Sequence, residues 1–215
     1  MTTIILTVAA LITAIISGMT GLGGGTMLVV ILYSVGLTPT IAVTVHAAVQ
    51  LASNGARTVA FFRHVHLPSL GIFLLTAIPT PFIVAESVEA LDPTIVRLFM
   101  GIFILMITWF RSLTQLKLSG PAGMLTAGVF AGGLGMVVGA TGTLIAPFYL
   151  RESWSKETII GTKALCQASA HIVKLVAFST VNLSVVGHLD LIIPMAIAVV
   201  AAVGHTRQLA VAAGD

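Results

Sequence analysis

The sequence predicts an all-α polytopic membrane protein made of two tandem homologous repeats with glycine-broken helices. Three observations carry that expectation. Of 215 residues, 57% are hydrophobic and 8% charged, and the mean hydropathy is +1.10, whereas a soluble domain carries roughly 25% charged residues. Two long apolar runs are interrupted by glycine clusters, Gly18 to Thr26 and Gly132 to Thr143. One constant offset of 117 residues superimposes the two halves.

Apolar runs reach or exceed the roughly 20 residues that cross a bilayer, and about seven spans can be drawn. The first runs from Thr3 to Val35, is too long for one straight crossing, and is expected to break at its glycines. The second covers Thr40 to Phe62, opened by Pro39, which suits a first helical turn. The third, Leu67 to Val84, is expected to kink or end at Pro79 and Pro81. An acidic loop with Glu86, Glu89 and Asp92 follows, and Pro93 opens the fourth span, to Phe110. Pro121 starts the fifth, which breaks at the second glycine cluster and reaches Leu150. The sixth runs from Lys156 to Ser179, and the seventh from Val185 to Val203 with Pro194 inside. Trp109 beside Arg111, and Tyr149 and Trp154 around Arg151, read as interfacial anchors.

The offset of 117 places Gly18 on Gly135, Met19 on Met136, Gly25 on Gly142 and Thr26 on Thr143. It also places Ala47 on Ala164, Gln50 on Gln167, and Val59-Ala60-Phe61 on Val176-Ala177-Phe178. Repeat units of residues 1–117 and 118–215 follow from it. The breaks are not identical. Ala140 and Thr141 stand where the first copy has Gly23 and Gly24.

The aligned helices also hold the polar residues. Span two carries His46, Gln50, Asn54 and Arg57; span six carries Lys163, Gln167, His171 and Lys174. Both sets are spaced i, i+4, i+8, i+11, an arc of about 80° on a helix. An ionisable group at membrane depth costs at least about 2.5 kcal/mol, so it faces a bundle interior, a wet path or a partner. The plainer reading is that Arg57 and Lys174 snorkel to an interface. Snorkelling does not account for amides and histidines recurring on the same faces. With no Asp or Glu along the stripes, the cations and amides suit an anion. Glycine at a helix break lets an oxyanion approach backbone N–H groups, which adds Gly23, Gly24, Gly25 and Thr26, and Thr141, Gly142 and Thr143, to the candidate binding residues. Close helix packing is the competing use of such glycines.

Other classes are weaker. The net charge of +3 and pI near 9.4 come from scattered residues, among them Arg63, Arg97, Arg111, Lys117, Arg151, Lys156 and Arg207, with no basic face for nucleic acid. Arg63, Arg111 and Lys117 suggest cytoplasmic loops and an N-terminus inside. The single Cys166 excludes an internal disulfide and a thiolate cluster. Met1-Thr2-Thr3-Ile4 lacks the n-region of a secretory signal. No carboxylate pair, nucleophile with base, or metal motif marks an enzyme, and no metal or cofactor is expected. The partners expected are a small anion and the bilayer, with protons coupled through His46 and His171.

The segments Gly21-Leu22-Gly23-Gly24-Gly25, Ala140-Thr141-Gly142-Thr143-Leu144-Ile145-Ala146-Pro147 and Gly161-Thr162-Lys163-Ala164-Leu165-Cys166-Gln167, with His171, Lys174 and Gly187-His188-Leu189-Asp190, resemble the TauE/SafE sulfite exporter family over residues 5 to 203. The resemblance implies a multi-pass inner-membrane carrier of small anions, often sulfur oxyanions or organosulfonates. Members of that family usually continue through one more helix. The tail from Gly204 to Asp215 is too short and polar to cross again, so the second repeat is expected to lack its last helix. A non-transporting or truncated membrane subunit is the alternative, and a membrane-embedded enzyme using His46 or His171 as acid or base is the weaker one.

Overall fold

The computed structural model describes residues 1–20, 23–109, 118–181, 183 and 185–212. Gly21 and Leu22 of the first break, and Phe110, Arg111 and Lys117, lie outside the described residues, as do the side chains of Glu89 and Arg207. All regular structure among the described residues is helical.

The first apolar run forms two helices, α1 (Thr2–Thr20) and α2 (Gly24–Ser34). Gly23, at φ +85°, takes a left-handed conformation that glycine adopts without a Cβ penalty. The chain there folds back, so that Leu28 and Leu32 of α2 share a core with Leu6, Ala10 and Ala14 of α1. Eleven residues of α2 rise about 16 Å, roughly half a hydrocarbon core. Gly24 belongs to this hairpin: a Cβ there would overlap the carbonyl of Thr13 and the side chain of Ser17.

The second copy is built differently. α7 (Gly120–Val129) runs into a π-helical segment, Phe130–Leu134, and then α8 (Gly135–Val138). Gly139 turns the chain at φ +76°, and α9 (Gly142–Ile145) continues into a 3₁₀ turn, Ala146–Tyr149. Gly132 and Gly133 leave room for another helix pair: a Cβ on Gly132 would meet Pro81 Cδ at 3.0 Å, and one on Gly133 would meet Thr80 Cγ2 at 2.9 Å. Close packing therefore accounts for these two glycines.

Two long helices organise the middle of the fold, α3 (Pro39–Ala60) and α10 (Lys156–Thr180). Their first residues, Pro39 and Lys156, are equivalent under the offset of 117. They pack extensively against each other, as α1 does against α11, and they run antiparallel. Gly161, near the start of α10, sits against Phe61 at the end of α3. At the opposite end, the rings of His46 and His171 lie edge to face at 5.9 Å.

Around this pair stand α4 (Leu67–Ala77), α5 (Pro79–Ala90), α6 (Pro93–Trp109) and α11 (Leu189–Ala212). α4 and α5 meet at Ile78, where the two prolines begin a new helix. Four helical stretches are long and apolar enough to cross a membrane: Thr2–Met19, Leu67–Val88, Gly120–Val138 and Val186–Thr206. α3 and α10 exceed 20 residues but carry the polar stripes, and the apolar parts of α2 and α6 are shorter.

Three expectations change. The acidic stretch is mostly helix rather than loop, because α5 extends through Glu86 to Ala90. Tyr149 is no interfacial anchor, since it is wholly buried in a core with Phe73, Met124 and Phe148. Residues 204 to 212 continue α11 as helix instead of forming a separate tail.

Candidate functional site

Both polar stripes face one cavity of about 820 Å³ between the breaks and the two long helices. α3 contributes His46, Gln50, Asn54 and Arg57, and α10 contributes Lys163, Gln167, His171 and Lys174. The breaks add Gly23, Gly25 and Thr26 from one side, and Thr141, Gly142 and Thr143 from the other. Of the residues singled out in the sequence, Gly24 alone is absent from the lining, for the packing reason given above.

Repeat-equivalent atoms meet across this cavity. The hydroxyls of Thr26 and Thr143 are 3.4 Å apart. A Cβ on Gly25 would lie 3.2 Å from Gln50 Nε2, and one on Gly142 would lie 2.9 Å from Gln167 Nε2. Each glutamine amide thus rests on the bare backbone of the glycine break in its own half. The first N–H groups of α2 have no intrahelical partner and lie at the positive end of its dipole.

Further along the stripes, His46 Nε2 is 2.9 Å from the Gly25 carbonyl, which fixes the ring against the first break. Lys174 is almost wholly buried, and its ammonium donates to the Gly139 carbonyl at 3.1 Å. This lysine reaches inward to the second break and does not snorkel. Asn54 donates to the Gln50 carbonyl at 2.9 Å, locking its amide to α3. Three buried nitrogens on the lining have no hydrogen-bond partner among the described residues: His46 Nδ1, Arg57 Nη2 and His171 Nδ1. Buried polar atoms are almost always satisfied; Arg57 Nη2 is a donor and suits a ligand that brings acceptors, whereas His46, whose Nε2–H donates to the Gly25 carbonyl, presents Nδ1 as an acceptor when neutral.

Several lining residues escaped the sequence reading. His64, Lys156 and Glu157 line the cavity where α3 ends and α10 begins. The last two belong to the first turn of α10, so Glu157 brings an acidic group to the lining. Their position at a predicted span end was the available signal. Thr206 of α11 also lines it, and Gly18 is packed against Thr206 so tightly that a Cβ would fall 2.7 Å away. No sequence pattern announced that contact. Cys166 is buried in the core that holds Tyr149.

Searches of curated proteins and of solved structures find no match. A family model does match, over residues 6–208, described as sulfite exporter TauE/SafE. That match takes in both breaks, both polar helices and the whole cavity lining. The chain is a membrane protein and belongs to the TauE/SafE sulfite exporter family, a family of transporters of sulfur compounds.

Proposed function

We propose that this chain is a secondary transporter that moves a small anion, a sulfur oxyanion or an organosulfonate, across the inner membrane through a site between two duplicated halves. The observation that supports this reading most is the convergence of both polar stripes and both glycine breaks on one cavity. Amide donors from Gln50 and Gln167, hydroxyls from Thr26 and Thr143, and cationic Arg57, Lys163 and Lys174 surround it. That donor set matches a tetrahedral or pyramidal oxyanion, which offers several acceptor oxygens and negative charge. The antiparallel arrangement of α3 and α10 favours an inverted-topology duplication, in which a central site is shared by the two halves. On this reading the chain crosses the membrane seven times, with α2 and the α9 segment entering partway and returning.

We assign proton coupling to His46 and His171, whose rings lie edge to face at 5.9 Å on the cavity lining. Flux of anion that ignores an imposed pH gradient removes this part of the proposal.

The test is exchange of radiolabelled sulfite and a panel of sulfonates by full-length protein in liposomes. Arg57→Ala and Lys174→Ala each lower exchange at least tenfold while the purified protein keeps its melting temperature. If both variants exchange sulfite at the native rate, the site lies elsewhere.

A further inference from the structure

A second, smaller pocket of about 220 Å³ lies at the opposite end of α3, among Thr38, Pro39, Thr40, Val43, Val88 and Met136. Four of its ten lining residues are related to residues of the large cavity by the repeat offset. Met19, Lys156, Glu157 and Ile160 line the large cavity, and Met136, Pro39, Thr40 and Val43 line the small pocket. Each of these four pairs differs by 117 residues. The environments are opposite, however. Met19 is 76% exposed, whereas its mate Met136 is 0% exposed.

Between the two voids lies the Gly139 turn. A Cβ at Gly139 would meet Val29 Cγ2 at 3.0 Å, Val43 Cγ2 at 3.3 Å and His46 Nδ1 at 3.8 Å. Val43 belongs to the small pocket, and His46 belongs to the large cavity. The carbonyl of the same glycine accepts the hydrogen bond of Lys174, whose ammonium comes from the large cavity. A single turn of backbone thus separates the voids, and one buried cation holds it.

We infer that the small pocket is the closed counterpart of the large cavity's mouth, and that Lys174 is the latch that keeps it closed. A chain whose two halves are inverted copies has two equivalent ways to open. In this structure Met19 stands exposed at a void that reaches both glycine breaks, whereas its mate Met136 is buried beside a void that stops short of their glycines. An anion arriving beside Lys174 bonds ammonium hydrogens that the Gly139 carbonyl leaves free and draws the side chain toward the cavity. Charge-assisted bonds to an oxyanion are stronger than a bond to a neutral carbonyl, so bound anion releases the turn. Gly139 carries the hinge because its positive φ excludes residues with a Cβ and its contacts with Val29 and Val43 leave no space for one. The latch rests on the anion-transport reading for what releases it.

Cysteine accessibility tests this in full-length protein in liposomes. Met19→Cys and Met136→Cys are treated separately with a small membrane-impermeant thiol reagent, added on either face. Native Cys166, wholly buried in a separate core, reports misfolding if it reacts in a variant lacking the new cysteine. Met19→Cys reacts readily and Met136→Cys reacts at least tenfold more slowly. Methanesulfonate, which does not consume the reagent, accelerates Met136→Cys at least fivefold and slows Met19→Cys. Lys174→Met accelerates Met136→Cys without any anion, and Cys166 stays protected. If Met136→Cys stays protected under both treatments, or reacts as fast as Met19→Cys from the start, the latch and the paired pockets are wrong. An effect of Lys174→Met without one of methanesulfonate upholds the latch and rejects the anion reading. Sulfite exchange with no change at Met136→Cys upholds the anion reading and rejects the latch.

Discussion

The hydroxyls of Thr26 and Thr143 lie 3.4 Å apart although 117 residues separate them along the chain. The same offset superimposes the glycine breaks to which they belong. Each threonine follows its break by one residue, so two equivalent points of the sequence come together at the cavity's centre. A ligand placed there meets the two halves through the same chemistry, a hydroxyl and a glutamine amide from each.

Removing one hydroxyl weakens binding without emptying the site. A hydrogen bond of this kind is worth about 1 kcal/mol, which is about fivefold in affinity. Thr26→Val and Thr143→Val therefore each raise the half-saturating sulfite concentration for exchange by about fivefold. The double variant falls short of the product of the two effects, because the hydroxyls are partners of each other. A fully multiplicative double variant separates the two threonines into independent sites.

Neighbouring glycines divide into different roles. A Cβ on Gly142 meets the end of the flexible Gln167 side chain at 2.9 Å, which moves at little cost to the fold. Gly142→Ala accordingly keeps the melting temperature and loses exchange, and Gly25→Ala follows with a milder loss, since its contact with Gln50 is 3.2 Å. A Cβ on Gly24 instead overlaps the Thr13 backbone. Overpacking of this kind costs about 1–3 kcal/mol, so Gly24→Ala lowers the melting temperature. Thermal melts alongside exchange rates separate the two classes.

Stability also carries a pH signature outside the membrane segments. Asp92 accepts a hydrogen bond from the Thr94 backbone N–H at 2.7 Å, ahead of α6. Bonds from Thr94 hold its carboxyl below the usual carboxylate range. A depressed carboxyl stabilises the fold above its unfolded pKa, and that contribution fades as pH falls through the folded value. Asp92→Ala therefore melts below the native protein at pH 7, and the gap closes as the pH is lowered from about 5 to about 2. A gap that persists at the acid end assigns the loss to something other than the carboxylate.

Much of the site was legible because helical periodicity is local. The spacing from His46 to Arg57 and from Lys163 to Lys174 places each set on one face whatever surrounds it, and Pro39 marks where α3 begins. What the sequence hid depends on distant partners. Gly24 is chemically indistinguishable from Gly25, and only the return of α2 along α1 sends one to Thr13 and the other to Gln50. Tyr149 beside Arg151 has the look of an interface, yet the 3₁₀ turn after α9 points its ring into the core. The π segment at Phe130–Leu134 lies where Gly132 and Gly133 meet the α4–α5 kink, and one-dimensional periodicity does not encode that contact. Thr206 reaches the cavity only because α11 packs against α1.

The proposed anion site depends on α3 and α10 turning their amide-bearing faces toward one ligand. Sulfite exchange by liposomes carrying Gln50→Leu/Gln167→Leu tests that most directly, because the paired change removes both cradle amides and keeps a side chain of similar size. Exchange falls to the level of empty liposomes while the melting temperature holds. Native exchange by a folded double variant contradicts the shared site.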